Sequence, residues 1–241
     1  MTAVSQPDFV VAERERVQLE YLRRARAIHP DLYAPWQPAS RFMLEGRNRT
    51  AASMLHNLNV FPQSTGRCVE VGFGEVGWLS ELIGWGICES NLHGIELDPA
   101  RARRAQELLP AADLRLGDAV ALPWDNGTFQ LAIVSTLFTS VLDDRVRRMI
   151  ADEIVRVLAP GGALLWYDFA YNNPRNPNVR GIGRGELRAL FPALQGQIKR
   201  VTLAPPLARL IAPRWWTLAT LLEGLPPLRT HLMAVLVKEQ S

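Results

Sequence analysis

Cys68-Val-Glu-Val-Gly-Phe-Gly-Glu-Val-Gly77 is the stretch that decides the fold. A short apolar strand ends in an acid and runs into three closely spaced glycines. Gly72 and Gly74 let the backbone turn tightly and let a ligand approach where a Cβ would collide. The following amides open a helix near Trp78, so their unpaired N–H groups face whatever occupies the turn. A strand–glycine turn–helix unit of this kind suits a cofactor carrying an adenosine group. Taken literally, Gly72, Gly74 and Gly77 fit the GxGxxG spacing of a dinucleotide site, with Glu96 about 20 residues on for a ribose.

Beyond residue 67 the pattern alternates strand and helix, which predicts a mostly parallel sheet. Strands are expected at 67–71, 92–96, 113–116, 131–135 and 163–168, with helices at 77–86, 99–109 and 144–158. Pro160-Gly161-Gly162 closes the last of these helices. Two further strands, 197–203 and 231–238, flank one amphipathic helix marked by Leu207, Leu210, Ile211, Leu218, Leu221 and Leu222, and Gly185–Phe191 reads as a short helix. Ahead of the sheet, 8–28 and 40–58 read as helices separated by His29-Pro30 and the extended Pro35–Pro38 crossing. Residues 1–60 are expected to form a helical cap over the cofactor and 61–241 the binding domain. Tyr33, Trp36 and Phe42 are the expected pocket-facing cap residues.

Several stretches then resemble class I S-adenosylmethionine-dependent methyltransferases. Glu70, Gly72 and Gly74 match the family's E/D-x-G-x-G-x-G turn, although position 76, where the third glycine is expected, carries Val76. Gly94-Ile-Glu-Leu-Asp98 resembles the family's second strand end, Gly117-Asp118-Ala119 its adenine turn, and Leu122–Phe129 its LPF-x-x-x-x-F segment. Leu158-Ala-Pro-Gly-Gly162 resembles its LxPGG turn. The resemblance implies a Rossmann-like, doubly wound sheet with an antiparallel strand near the C-terminus. It implies S-adenosyl-L-methionine as cofactor, with Glu96 on the ribose hydroxyls and Asp118 on the adenine. Glu70, Gly72, Phe73, Gly74, Leu97, Gly117, Ala119 and Ser135 complete the expected cofactor site.

An acceptor hydroxyl needs a base. Asp168, at a strand end, is the first candidate and His29, beside the cap, the second. Tyr33, Phe138, Tyr171, Asn172 and Arg175 are the expected acceptor contacts. No metal is expected: Ser135 stands where metal-using relatives carry a ligand, and only Asp143, Asp144 and Asp168 offer oxygens nearby. The expected reaction is methylation, at oxygen, of a sugar-containing or natural-product acceptor. A nicotinamide-dependent oxidoreductase and a non-catalytic partner subunit remain as alternatives.

Composition narrows the partners. The 241 residues suit one α/β domain with an added segment, and 48% hydrophobic against 21% charged residues is ordinary for a globular chain. A net charge of +3, from 27 basic and 24 acidic side chains, gives no basic face for nucleic acid. The base-gripping Asn-Pro-Pro-aromatic motif is also missing after the fourth strand. Cys68 and Cys88 are too few for a disulfide framework. With charges from Glu13 onward and no span of about 18 apolar residues, neither a signal peptide nor a membrane span is expected. The expected compartment is the cytoplasm. Trp215 and Trp216 beside Arg209 and Arg214 leave open core packing, a homodimer contact and a membrane-surface contact.

Overall fold

The computed structural model describes residues 7–27, 29–74, 76–173 and 176–240. Two long helices come first, α1 (Asp8–Ala27) and, after a 3₁₀ turn at Pro30–Tyr33, α2 (Pro38–Asn57). Then β1 (Cys68–Val71), α3 (Gly77–Gly84), β2 (Leu92–Glu96), α4 (Pro99–Leu108) and β3 (Asp113–Leu116) alternate. They are followed by β4 (Phe129–Ser135), α5 (Asp144–Val157), β5 (Leu158–Phe169) and α6 (Arg184–Leu190). The chain closes with β6 (Leu194–Leu203), α7 (Pro205–Ile211), α8 (Trp216–Glu223) and β7 (Arg229–Lys238).

Caps and apolar patterns account for these boundaries. Asp98 accepts from the amides of Ala100 and Arg101, with Pro99 preset at the first turn of α4. Asp143 does the same for α5 through Arg145 and Val146. β1 and β2 are buried at every position, as strands covered on both faces must be.

The seven strands run in the order β3-β2-β1-β4-β5-β7-β6. The first five are parallel, and β7 inserts antiparallel between β5 and β6. Strand order therefore reverses between β1 and β4, which opens a crevice at their carboxyl ends. One face of β4, through Ala132 and Val134, packs on Ile150 and Ile154 of α5. The other, through Leu131 and Ile133, meets Met54 and Leu55 of α2 and Leu79 and Leu82 of α3.

Two expectations fail locally. β5 begins at Leu158, because Pro160–Gly162 is absorbed into the strand through a register shift against Phe129–Leu131 rather than forming a turn before it. The single helix expected between the last two strands is two, α7 and α8. Pro213 falls between them, with no N–H to offer a continuing helix.

Arg147 holds the rim of α5 in place. Its side chain is buried, its Nε donates to Val141 O at 2.6 Å, and it pairs with Glu186 of α6. Arg147→Ala should lower stability by about 2–3 kcal/mol by stranding that carbonyl and opening a void, read by chemical denaturation.

Candidate functional site

The glycine turn is built from both sides. Gly72 (φ +75°) and Gly74 (φ +59°) are left-handed, and a Cβ at 72 would lie 2.7 Å from Leu137 Cδ1. At 74 a Cβ would meet nothing within 4 Å, so the space above it is open to a ligand. Val76 is also left-handed at φ +58°, a conformation a β-branched residue rarely adopts. Below the turn, Glu70 is fully buried and accepts from the amides of Trp78 (3.1 Å) and Leu79 (3.2 Å). It ties the end of β1 to the start of α3, where a carboxylate suits the helix dipole. Burial pushes its pKa up to about 8, against the pull of Arg47 and the two amides.

Beside this turn lies an open cleft whose empty space, its mouth included, is about 570 Å³. Its floor is Gly72, Ile95, Glu96 and Leu97, and one end is Gly117, Asp118 and Ala119. Glu96 accepts from the amides of Gly74 (2.8 Å), Leu97 (2.9 Å) and Asp98 (3.0 Å), which fixes its carboxylate at the mouth of the glycine turn. Leu137, Val141, Val146 and Ile150 form an apolar wall.

The roof is α1, through Val10, Glu13, Arg14, Val17 and Tyr21. Two of its carboxylates hold it down. Glu13 accepts from the amides of Leu142 and Asp143 as well as from Arg16. Glu20 accepts from Asn178 (2.8 Å) and Asn176 (3.3 Å) on the loop after β5, and from Arg23 and Arg24. Those partners hold the Glu20 carboxyl at about 2, with Arg23 the largest influence.

Residues 68–162 match the model of the methyltransferase domain family. Over this stretch the chain carries a class I S-adenosylmethionine-dependent methyltransferase domain. It is 32% identical, over 52% of this chain and 46% of the relative, to the phthiotriol/phenolphthiotriol dimycocerosates methyltransferase of Mycobacterium leprae. The chain spans less than half the length of the curated relatives it matches. Among solved structures, an S-adenosylmethionine-dependent methyltransferase of Thermotoga maritima aligns over 95% of this chain and 99% of its own, at TM-score 0.59 and 20% identity. The geranyl diphosphate C-methyltransferase of Streptomyces coelicolor, solved with S-adenosylhomocysteine, aligns over 80% of this chain and 77% of its own at TM-score 0.57 and 17% identity.

In this chain the cavity gathers Gly72, Glu96, Leu97, Gly117, Asp118 and Ala119, with Gly74 bonded to Glu96. Phe73 does not join them: it is buried and packs over Gly94, where a Cβ would lie 2.5 Å from its ring. Ser135 lies outside the cavity lining, at the end of β4, where its carbonyl accepts from the Thr136 hydroxyl.

The residues expected on the acceptor side are not brought together at this cavity. Asp168 is fully buried and accepts from the amide and hydroxyl of Thr139 and the amide of Phe169. Burial pushes its pKa up to about 6, but it does not line the cavity. Phe138 is core, edge-on to Phe191. His29 is exposed and caps the 3₁₀ turn by accepting from Asp31 N. Tyr33 and Trp36 point to solvent, and Phe42 packs on Trp216. Tyr171 is exposed beneath Arg200, and Asn172 accepts from Gly181 N within its own loop. Arg175 lies outside the described residues.

The cap expected over 1–60 faces the cavity through Val10, Glu13, Arg14, Val17 and Tyr21 of α1 rather than through Tyr33, Trp36 and Phe42, and the sequence does not single out Arg47. This half-buried arginine of α2 stacks 4.0 Å over the Trp78 ring and 5.8 Å from the Tyr167 ring, beside Glu70. Among the described residues no carboxylate lies within ion-pair distance of it.

Val76→Gly should raise stability by about 1 kcal/mol, by removing a left-handed β-branched residue, with urea midpoints as the readout. A second expectation concerns pH. Glu70 has a folded pKa above its ordinary value, so its burial penalty is present above about pH 8 and is relieved as pH falls. His231, depressed to about 3 by burial, opposes this below its ordinary pKa of about 6.5. Thermal midpoints should therefore rise as pH falls from about 9 to about 6.5, and Glu70→Gln should flatten that rise.

Proposed function

We propose that this chain transfers a methyl group from S-adenosylmethionine to a hydroxyl of a small molecule. The observation that carries the cofactor reading is the convergence of Gly72, Glu96 and Asp118 on one roofed cavity. The turn supports the same choice over a dinucleotide. Its left-handed residues are 72, 74 and 76, the methyltransferase spacing, whereas Gly77 has no left-handed φ and begins α3.

Bound S-adenosylmethionine supplies a methyl already activated on a sulfonium, so the protein's work is placement and exclusion of water. Glu96 accepts from two vicinal hydroxyls of a ribose, as a carboxylate can. Asp118 and the Leu97 side of the cavity flank the adenine. Arg47, stacked on Trp78 and without a carboxylate of its own, suits the carboxylate at the amino-acid end. α1 covers the site and keeps water out. The acceptor approaches from the rim of β4 and β5, where Asp168 acts as a positioning residue by fixing Thr139 rather than as the base.

Calorimetric titration with S-adenosylmethionine and S-adenosylhomocysteine tests the reading. Glu96→Gln and Arg47→Ala should each weaken both ligands by about 10- to 100-fold, the worth of one or two charge-assisted hydrogen bonds. Failure of the parent chain to bind either sulfur ligand, or preferential binding of NAD, contradicts it. For the acceptor, turnover of a hydroxylated panel should survive in Asp168→Asn with the pH profile unshifted. Loss of a rate limb near the Asp168 pKa of about 6 would make that carboxyl the base instead.

A further inference from the structure

The segment between β6 and β7 is built inside out for a soluble helical pair. α7 and α8 turn their small residues inward: Ala208, Ala212 and Ala219 are at most 3% exposed and pack with Leu203 on Phe42 of α2. Leu207, Ile211 and Leu222 are half-buried against the same cluster, but most of the remaining large residues turn outward. Leu210 is 66% exposed, Leu221 68%, Trp215 60% and Leu225 51%, with Leu218 and Trp216 at or above 40%. A surface helix ordinarily presents the opposite pattern. Isolated exposed leucines need no explanation, but six large apolar side chains within 16 residues do.

The charges of this segment also point one way. Arg214 is exposed, and Arg209 is half-buried with its guanidinium 5.7 Å from the ring of the exposed Tyr33. The one acid, Glu223, turns inward, accepting from Leu203 N beside Gly46. The outward face is therefore apolar and aromatic, its only charges cationic.

We propose that α7 and α8 dock this protein onto an anionic lipid surface. Tryptophan rings suit the headgroup boundary, leucines the acyl region beneath it, and arginines the lipid phosphates. A second copy of the chain is a poorer occupant. A two-fold contact would set this face against itself and bring Arg209 and Arg214 toward their own counterparts, with no outward carboxylate to compensate. The patch rides on α2, where Trp216 stands edge-on to Phe42 at 5.2 Å.

Sedimentation of the full chain with vesicles of equal parts phosphatidylglycerol and phosphatidylcholine tests the proposal, with pure phosphatidylcholine vesicles alongside. The chain should pellet with the anionic vesicles, less at high salt, and not with the neutral ones. Leu210→Glu combined with Leu221→Glu should reduce partitioning about tenfold or more, and Arg214→Glu about tenfold. All three positions are exposed, so thermal midpoints should stay at the parent value. Absence of the parent chain from the anionic pellet, or equal pelleting of the double variant, overturns the proposal. So does a concentration-dependent dimer in light scattering that the double variant abolishes, which would assign the face to a second copy.

Discussion

A buried carboxylate at the end of β1 sets the geometry on which the site depends. Glu70 receives the first free amides of α3, at Trp78 and Leu79, and so fixes how the chain leaves the sheet and enters the helix. With both ends held, the residues between them must turn back within a few positions, which forces left-handed backbone at 72, 74 and 76. That turn aims the Gly74 amide at Glu96 on the neighbouring strand. Burying the acid is costly, as its raised pKa records, but removing it would leave two helix amides unpartnered in the core.

The second constraint is the roof. α1 carries two acids on the face that also carries Val10 and Val17, an arrangement that would be unfavourable for a helix packed on an apolar surface. It becomes favourable because Glu13 meets amides of the loop before α5 and Glu20 meets asparagines of the loop after β5. Polar clasps of this kind hold a helix over a cavity without filling it. They also connect the roof to both loops at the rim where an acceptor must approach.

Much of the fold was legible in the sequence because the signals are local and periodic. Pro99 behind Asp98, the run of the glycine turn and the largely apolar strands each predict their own element. The place of Glu96 and Asp118 at the crevice was legible for the same reason, since each stands at or just past the end of a strand that must reach it. The acceptor side was not, because burial is a tertiary outcome. Phe138 and Asp168 stand at strand ends like genuine site residues, but Phe191 and Thr139 claim them. The cap was legible as helices, but not which of its residues face the cavity. Val10, Val17 and Tyr21 follow the same spacing whether a helix covers a core or a cavity, so periodicity could not separate the two. Arg47 sits on a helix whose register against Trp78 only the packing of α2 fixes.

The central claim is that the cofactor lies across the glycine turn beneath α1. Hydrogen exchange of the full chain with and without S-adenosylhomocysteine tests it most directly. The account predicts slowed exchange in two separate stretches, the amides of 74–79 and those of α1, with the far strands β6 and β7 unchanged. Saturating ligand that protects the turn but leaves α1 exchanging as before would contradict the roof, and protection confined to other segments would contradict the site itself.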